Sequence, residues 1–389
     1  MDFHWSPDDI AFRSDLRRFF RENLPQGWME GLASFDDGDS REEMLRGVIR
    51  QLADRGWLCN SWPVEYGGRG WGPMRQTIFQ EELAYHKMPL GLYTTGINRM
   101  GPSIITHATP DQKRRFLPPI ARGDVIWAQL FSEPDTGSDL AGIQTKAVDE
   151  GDHFRVSGIK VWNRAHKAQW AGTLVRTNPS APRHAGISYL LLDLSLPGIV
   201  VRPVVNMCNA HVFNEVFLDN VIVPKDCLLG QKDQGWRVAS HTLTVERTFV
   251  NHSVMAQQYY DEMLDVVEGR RDSRKRSLTP QTRARLAQIA VELKVSRLLC
   301  YRIAYRQERN LPVSYETAIS KLFVSEMTQR LADAAMSLFG LQGQLEEGSP
   351  RAPLRGKPQM LYRAQRAITI GGGTSEIMRN VIAKRGLGL

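Results

Sequence analysis

Apolar positions along the chain change their spacing twice. From residue 7 to about 122 they recur at helical intervals, with Phe12, Leu16, Phe19 and Phe20 on one face. Ahead of them, Ser6-Pro7-Asp8-Asp9 reads as an N-cap, a first-turn proline and two acids matched to the helix dipole. Further helices are expected around 44–55, 75–85, 101–107 and 111–118, and Pro63, Gly67, Gly68, Gly70 and Gly72 mark a long turn between two of them. From about 123 to 228 the pattern changes to short β-rich runs at 125–131, 154–162, 189–192, 199–201, 212–218 and 221–223, with turns at 149–152, 197–198 and 219–220. Strands at such spacing predict a small antiparallel barrel or sandwich. Beyond about 235 the helical period returns in long segments at 236–268, 280–309 and 314–339, which predict an antiparallel bundle. The order is α, then β, then α, with no internal repeat.

Composition narrows the class. A chain of 389 residues, 42% hydrophobic, is expected to hold two to three globular domains. No apolar run approaches the roughly 18 residues that a bilayer span requires. The first residues lack the basic-then-apolar order of a secretory signal. A membrane span, a secreted disulfide scaffold and a disordered regulator are therefore not expected. The net charge of +8 favours anionic partners, whether nucleic acid, a membrane surface or a phosphorylated small molecule. The one dense basic run, 270–276, has no interleaved aromatic and reads as a solvated loop. Cys59, Cys208, Cys227 and Cys300 show no CxxC spacing or histidine pairing. They suit reduced thiols in a cytoplasm, with no zinc site and no disulfide framework.

The most specific stretch is 131–142, Phe-Ser-Glu-Pro-Asp-Thr-Gly-Ser-Asp-Leu-Ala-Gly, which joins a β-rich run to a loop of hydroxyls and glycine. Such a loop is either an ordinary polar turn or a cradle for a polar ring edge or a pyrophosphate. Four more stretches accompany it: Trp62-Pro63-Val64-Glu65-Tyr66-Gly67-Gly68, Gln112-Lys113-Arg114-Arg115-Phe116-Leu117-Pro118, Phe213-Asn214-Glu215-Val216-Phe217-Leu218, and Gly371-Gly372-Gly373-Thr374-Ser375-Glu376-Ile377-Met378-Arg379-Asn380. In this order and spacing the chain resembles the acyl-CoA dehydrogenase family over nearly its whole length.

That resemblance implies an α+β multidomain fold: a helical N-terminal domain (1–122), a middle β-barrel domain (123–230) and a C-terminal four-helix bundle (231–389). It also implies FAD, an acyl-CoA thioester substrate, an electron-transfer flavoprotein as electron acceptor, and a homotetramer or an α2β2 heterotetramer. By the same resemblance, the Phe131 backbone and Ser132 contact the pyrimidine edge of the flavin. Ser138 lies near the pyrophosphates of FAD or the pantetheine arm of CoA, and Trp162 packs beside the isoalloxazine ring. Gly371, Gly372 and Gly373 open the approach to the site, with Gly373 and Thr242 on the substrate side. Thr374 and Glu376 bind the ribityl–pyrophosphate part of FAD.

The reaction needs a base for the thioester α-proton while the β-hydrogen leaves as hydride to flavin N5. A carboxylate buried against flavin and acyl chain becomes a stronger base. Many family members place it just before the Gly-Thr of the C-terminal motif, where this chain has Gly372. Members typified by isovaleryl-CoA and long-chain dehydrogenases carry it in a Glu-Arg pair on the first helix of the bundle, matched here by Glu246 and Arg247 in Thr244-Val245-Glu246-Arg247-Thr248. Glu246 is thus the expected base and Arg247 its support.

Three departures qualify the match. The family's Thr or Ser that follows the barrel tryptophan and bonds flavin N5 is missing from 162–170, leaving Asn163 as the replacement donor and Arg164 as a positive charge near the flavin. The adenosine-gripping Arg-x-x-Phe-Gly segment is missing around 270–285. The GGxG element is reduced to Phe339-Gly340-Leu341-Gln342-Gly343. The last two resemble actinobacterial dehydrogenases of bulky sterol or ring substrates, some of which are mixed tetramers with half the flavin sites filled. A non-catalytic subunit, or an oxidase, lyase or hydroxylase on the same fold, are the alternative readings.

Overall fold

The computed structural model describes residues 5–24, 28, 39–88, 90–244, 249–270 and 278–389. Eleven α-helices and seven strands appear among them, in the order helical, sheet, helical. In chain order the helices are α1 (Pro7–Asn23), α2 (Asp39–Asp54), α3 (Pro73–Tyr85), α4 (Gly101–His107) and α5 (Pro110–Arg122). The strands are β1 (Trp127–Leu130), β2 (Lys146–Asp149), β3 (His153–Asn163), β4 (Trp170–Arg176), β5 (Ile187–Asp193), β6 (Ile199–Val205) and β7 (His211–Pro224). Then come α6 (Gly235–Thr244), α7 (Val250–Val267), α8 (Pro280–Glu308), α9 (Glu316–Phe339), α10 (Lys357–Ala364) and α11 (Ser375–Val381). Packing divides the chain into two compact units. One contains α1, α3 and α7 to α11, and the other contains α2, α4, α5, the sheet and α6.

Local chemistry explains most boundaries. Ser6 caps α1 by accepting from Asp9 N–H, Pro7 sits in the first turn, and Phe12, Leu16, Phe19 and Phe20 are the buried face. α5 carries a full capping box between Thr109 and Gln112 and ends at Gly123, φ 71. It runs four residues beyond the sequence expectation, through Pro118 and Pro119. The carbonyls those prolines leave unbonded belong to Arg114 and Arg115, which are exposed to water.

In the helical unit, α7, α8 and α9 bury Tyr259, Met263, Ile289, Leu293, Met327 and Leu331 in one core. Each such side chain contributes about 1.5–3 kcal/mol. The segment expected as one helix over 236–268 is two. α6 ends at Thr244 and α7 begins at Val250, with Phe249 in the left-handed region at φ 54, which a continuous helix does not allow.

The middle sheet is open, a half-barrel rather than a closed barrel. β4 has β5 on one side and β1, then β2, on the other, and β3, β7 and β6 follow beyond β2. β2 and β4 were not legible as strands. β7 is one strand where two were expected. The turn at Asn220, φ 51, is absorbed as a register shift against β3 and the pairing continues on both sides. Among the described residues no helix is long and apolar enough to cross a membrane.

Candidate active site

β3 sets up the chemistry of the sheet unit. Phe154 and Val156 point into the core, so period-two alternation puts Lys160 on the same face, and it is fully buried. Continued alternation would bury Trp162 and expose Asn163. A second register shift against β7, between Lys160 and Asn163, inverts this. Asn163 is buried, and Trp162, at φ 60, is turned outward with 63% of its surface exposed. A large aromatic in the left-handed region is strained by about 1–3 kcal/mol, and strain of that kind concentrates at ligand sites.

Lys160 organises the loop after β1. Its Nζ donates to Glu133 Oε1 at 2.8 Å and to the Phe131 carbonyl at 3.1 Å. Glu133 in turn accepts from Gln144 N–H at 2.6 Å and Thr145 N–H at 2.9 Å. Burial pushes the Lys160 ammonium down to about 8 even with Glu133 beside it. Burial alone would raise the Glu133 carboxyl, but the Lys160 charge and the N–H donors outweigh it and hold the group below the usual carboxylate range. Glu133 and Thr136 close the turn through paired backbone bonds. Ser132 is partly buried, its carbonyl accepting from Val161 N–H at 2.9 Å, and Ser138 is exposed farther along the loop. Thr136 Oγ1 is buried with no hydrogen-bond partner among the described residues.

Asn163 departs from its expected part. Its amide nitrogen donates to the Asn214 and Lys160 carbonyls at 3.3 and 3.5 Å, and its Oδ1 accepts from Ala165 N–H at 3.1 Å. The side chain is therefore committed to bonds inside the sheet. Asn214 completes the brace by donating to the Asn163 carbonyl at 2.9 Å and to His166 Nδ1 at 2.8 Å, and accepting from His211 Nε2–H at 2.7 Å. The two imidazoles stack at 4.1 Å. Trp162 meets Phe213 edge-on at 5.9 Å. Thr242 is likewise committed internally. It is fully buried, donates to the Val238 carbonyl and bonds Ser103 Oγ at 2.8 Å, so it ties α6 to α4.

In the helical unit, Gly371, Gly372 and Gly373 precede α11, with φ 70 at Gly372 and 100 at Gly373. A glutamate in place of Gly372 would be strained there. Thr374 is the N-cap, accepting from Ile377 N–H at 3.2 Å. The exposed Glu376 is held below the usual carboxylate range by its own backbone N–H and by the Thr374 hydroxyl. Ser375 Oγ between them is buried without a partner among the described residues. Glu246 and Arg247 lie outside the described residues, as do 271–276 of the basic run.

Sequence reasoning missed Lys160, although its parity with Phe154 and Val156 was readable. It also missed the His166–Asn214–His211 brace, for which one sequence holds no signal.

Within the sheet unit, a flat exposed aromatic and a loop with a partnerless buried hydroxyl suit a planar ligand with a polar edge; within the helical unit, the partnerless Ser375 hydroxyl lies beside the N-cap of α11. Three family profiles match in order: acyl-CoA dehydrogenase N-terminal domain over residues 6–124, middle domain over 128–221 and C-terminal domain over 233–387. The chain is 36% identical to acyl-CoA dehydrogenase IpdE1 of Mycobacterium tuberculosis, over 98% of both chains. Its fold matches the ChsE4–ChsE5 complex of Mycobacterium tuberculosis with a TM-score of 0.87 and 30% identity, covering 100% of this chain and 99% of that one. The Tcur3481–Tcur3483 steroid ACAD matches with a TM-score of 0.86 and 26% identity over 100% and 99%.

Proposed function

Because the chain belongs to the acyl-CoA dehydrogenase family and is thereby an oxidoreductase, we propose that it converts an acyl-CoA thioester to the trans-2-enoyl-CoA with FAD as cofactor. When bound, the flavin accepts the β-hydrogen as hydride. Trp162 supplies a face for the ring, while the Phe131–Ser132 backbone and Ser138 offer polar contacts. Thr374, Ser375 and Glu376, on the helical unit, offer polar contacts to the tail of an FAD. Because Glu376 stays ionised it accepts from hydroxyls and repels phosphate, so the ribityl chain suits it better than the pyrophosphate.

Glu246 takes the α-proton onto a carboxylate oxygen, and Arg247 supports it from the next position. The observation that carries this assignment is Gly372 at φ 70, where many relatives place their base and where this chain has neither the carboxylate nor a backbone that would hold one comfortably. The Thr-Val-Glu-Arg order at 244–247 then supplies the acid. Electrons pass to an electron-transfer flavoprotein, and the acyl group is of the fatty or bulky ring class.

The test is flavin absorbance of the purified protein, followed by turnover of thioesters with a dye acceptor. Glu246→Gln should lose about 10²- to 10⁴-fold in kcat while still binding thioester. Full activity in that variant would overturn the assignment of the base. The buried Asn163 amide, which leaves the loop without the family's hydroxyl donor, favours one second reading. In it the chain is the subunit of an α2β2 assembly that does not hold flavin. Half a flavin per chain in a complex with a co-purifying homologue would select it over the homotetramer.

A further inference from the structure

Four residues of α6, Gly235, Val238, Ala239 and Thr242, are buried at the spacing of one helical stripe. The first is pressed against a strand: a Cβ on Gly235 would lie 2.4 Å from the Ser188 carbonyl carbon of β5. The fourth carries a hydroxyl where valine, of the same shape, would fill the stripe with apolar atoms. Thr242 Oγ1 spends its proton inside its own helix, on the Val238 carbonyl at 2.8 Å. It therefore accepts from Ser103 Oγ–H of α4, also at 2.8 Å, and Ser103 is as fully buried as Thr242.

Two buried hydroxyls that bond each other add little stability, because replacing both by apolar groups of the same shape is nearly neutral. What the bond supplies is direction. It fixes α6 along and about its axis against α4, where apolar contact tolerates sliding. The neighbouring His107 and His241 rings meet edge-on at 5.3 Å, and His107 Nε2 and His241 Nδ1 make no hydrogen bond among the described residues, so that contact is the less directional one. α6 ends at Thr244, and Glu246 follows two residues later. Covalent geometry keeps the Glu246 α-carbon within about 7 Å of that of Thr244.

We propose that Thr242 is a positioning residue for the base: with Ser103 it fixes the last turn of α6, and so the place from which Glu246 reaches the thioester α-proton. This rests on the assignment of Glu246 above and adds what holds it in place. A base misplaced by about 1 Å loses on the order of a hundredfold in rate, so a bond with little effect on stability has a large effect on turnover.

The experiment uses the flavin-loaded protein with a dye acceptor and butanoyl-, octanoyl- and cyclohexanecarbonyl-CoA. The thioester turned over fastest is then prepared with deuterium at the α-carbon, and kcat is taken per bound flavin, so that loss of folded protein does not enter. Thr242→Val should lower kcat about ten- to hundredfold, leave KM within about threefold and raise the α-deuterium isotope effect, because proton removal becomes the slow step. Thr242→Ser keeps the hydroxyl and should keep most of kcat. Ser103→Ala removes the donor from the α4 side and should reproduce part of the loss, which keeps the test open if Thr242→Val does not fold. Added to Glu246→Gln, Thr242→Val should slow turnover no further, since it acts through that carboxylate.

A kcat within twofold of wild type in Thr242→Val and Ser103→Ala would overturn this inference. So would a loss that Thr242→Ser shares in full, a change confined to KM, or additive losses with Glu246→Gln. Each leaves the dehydrogenase reading standing. Full activity in Glu246→Gln would overturn the assignment of the base, and failure of wild type to turn over any of the three thioesters the dehydrogenase reading; either takes this inference with it.

Discussion

The Lys160–Glu133 pair is the feature of the sheet unit whose removal has the most calculable effect. Lys160→Met keeps the length and apolar stem of the side chain and deletes the charge. Glu133, 7% exposed, then stays buried without its ion-pair partner. Breaking one side of a buried pair costs about 3–5 kcal/mol. The two N–H donors from Gln144 and Thr145 remain on the carboxylate, so the lower end applies, about 3 kcal/mol. For a unit of this size that is a fall of about 6–12 °C in Tm. Glu133→Gln should cost a similar amount, because it strands Lys160 on the Phe131 carbonyl alone. The double variant removes both buried charges and should recover at least 2 kcal/mol relative to the sum of the singles. Thermal unfolding of the four proteins at pH 7 measures the cycle. Flavin content per chain tests its functional side, since the same ammonium fixes the Phe131 carbonyl at the head of the 131–138 loop. Additive singles, or an unchanged Tm in Lys160→Met, would refute the claim that this pair holds the loop.

Other expectations follow from single residues. Trp162→Gly should stabilise the flavin-free protein by about 1 kcal/mol by releasing the φ 60 strain, yet lower flavin retention, whereas Trp162→Phe should keep most of it; calorimetry and absorbance measure the two effects. His252 is driven down to about 4 by burial and then by the charge of Lys321. Its folded-state value lies below the unfolded one, so the stability linked to it is fully present above about pH 6.5 and is lost as pH falls toward 4. His252→Phe should flatten the decline of Tm across that window. Asn214→Ala should free the Asn163 brace and both imidazoles, costing about 1–3 kcal/mol in unfolding free energy for the groups left unbonded.

Periodicity carried the α–β–α order because each class buries one face, and burial repeats at 3.6 or 2 residues. The face of α1 was readable residue by residue, down to its cap. What periodicity could not carry was anything decided by pairing partners. β2 and β4 have no distinctive alternation, and they are strands because β3, β5 and β1 offer them ladder bonds. The break between α6 and α7 has no proline or glycine to announce it, and Phe249 takes up the left-handed conformation there. For the site, the family resemblance located the loop and the C-terminal motif. It could not tell that the Asn163 and Thr242 side chains make internal bonds, since hydrogen-bond partners far apart in sequence decide that.

One irregularity in β3 connects these observations. Without the shift between Lys160 and Asn163, Trp162 would be buried, its ring unavailable to a ligand, and Asn163 would face solvent. With it, a single strand places a buried ammonium at 160, an outward aromatic at 162 and an inward amide brace at 163, and it delivers Arg164 to the space beside Gly91. The strain at Trp162 is the local cost of that inversion. The Lys160 bonds and the Asn163–Asn214 brace hold it from either side. A bulge whose flanks are tied so heavily is expected to persist in the flavin-free protein, with the ring face formed before the cofactor arrives.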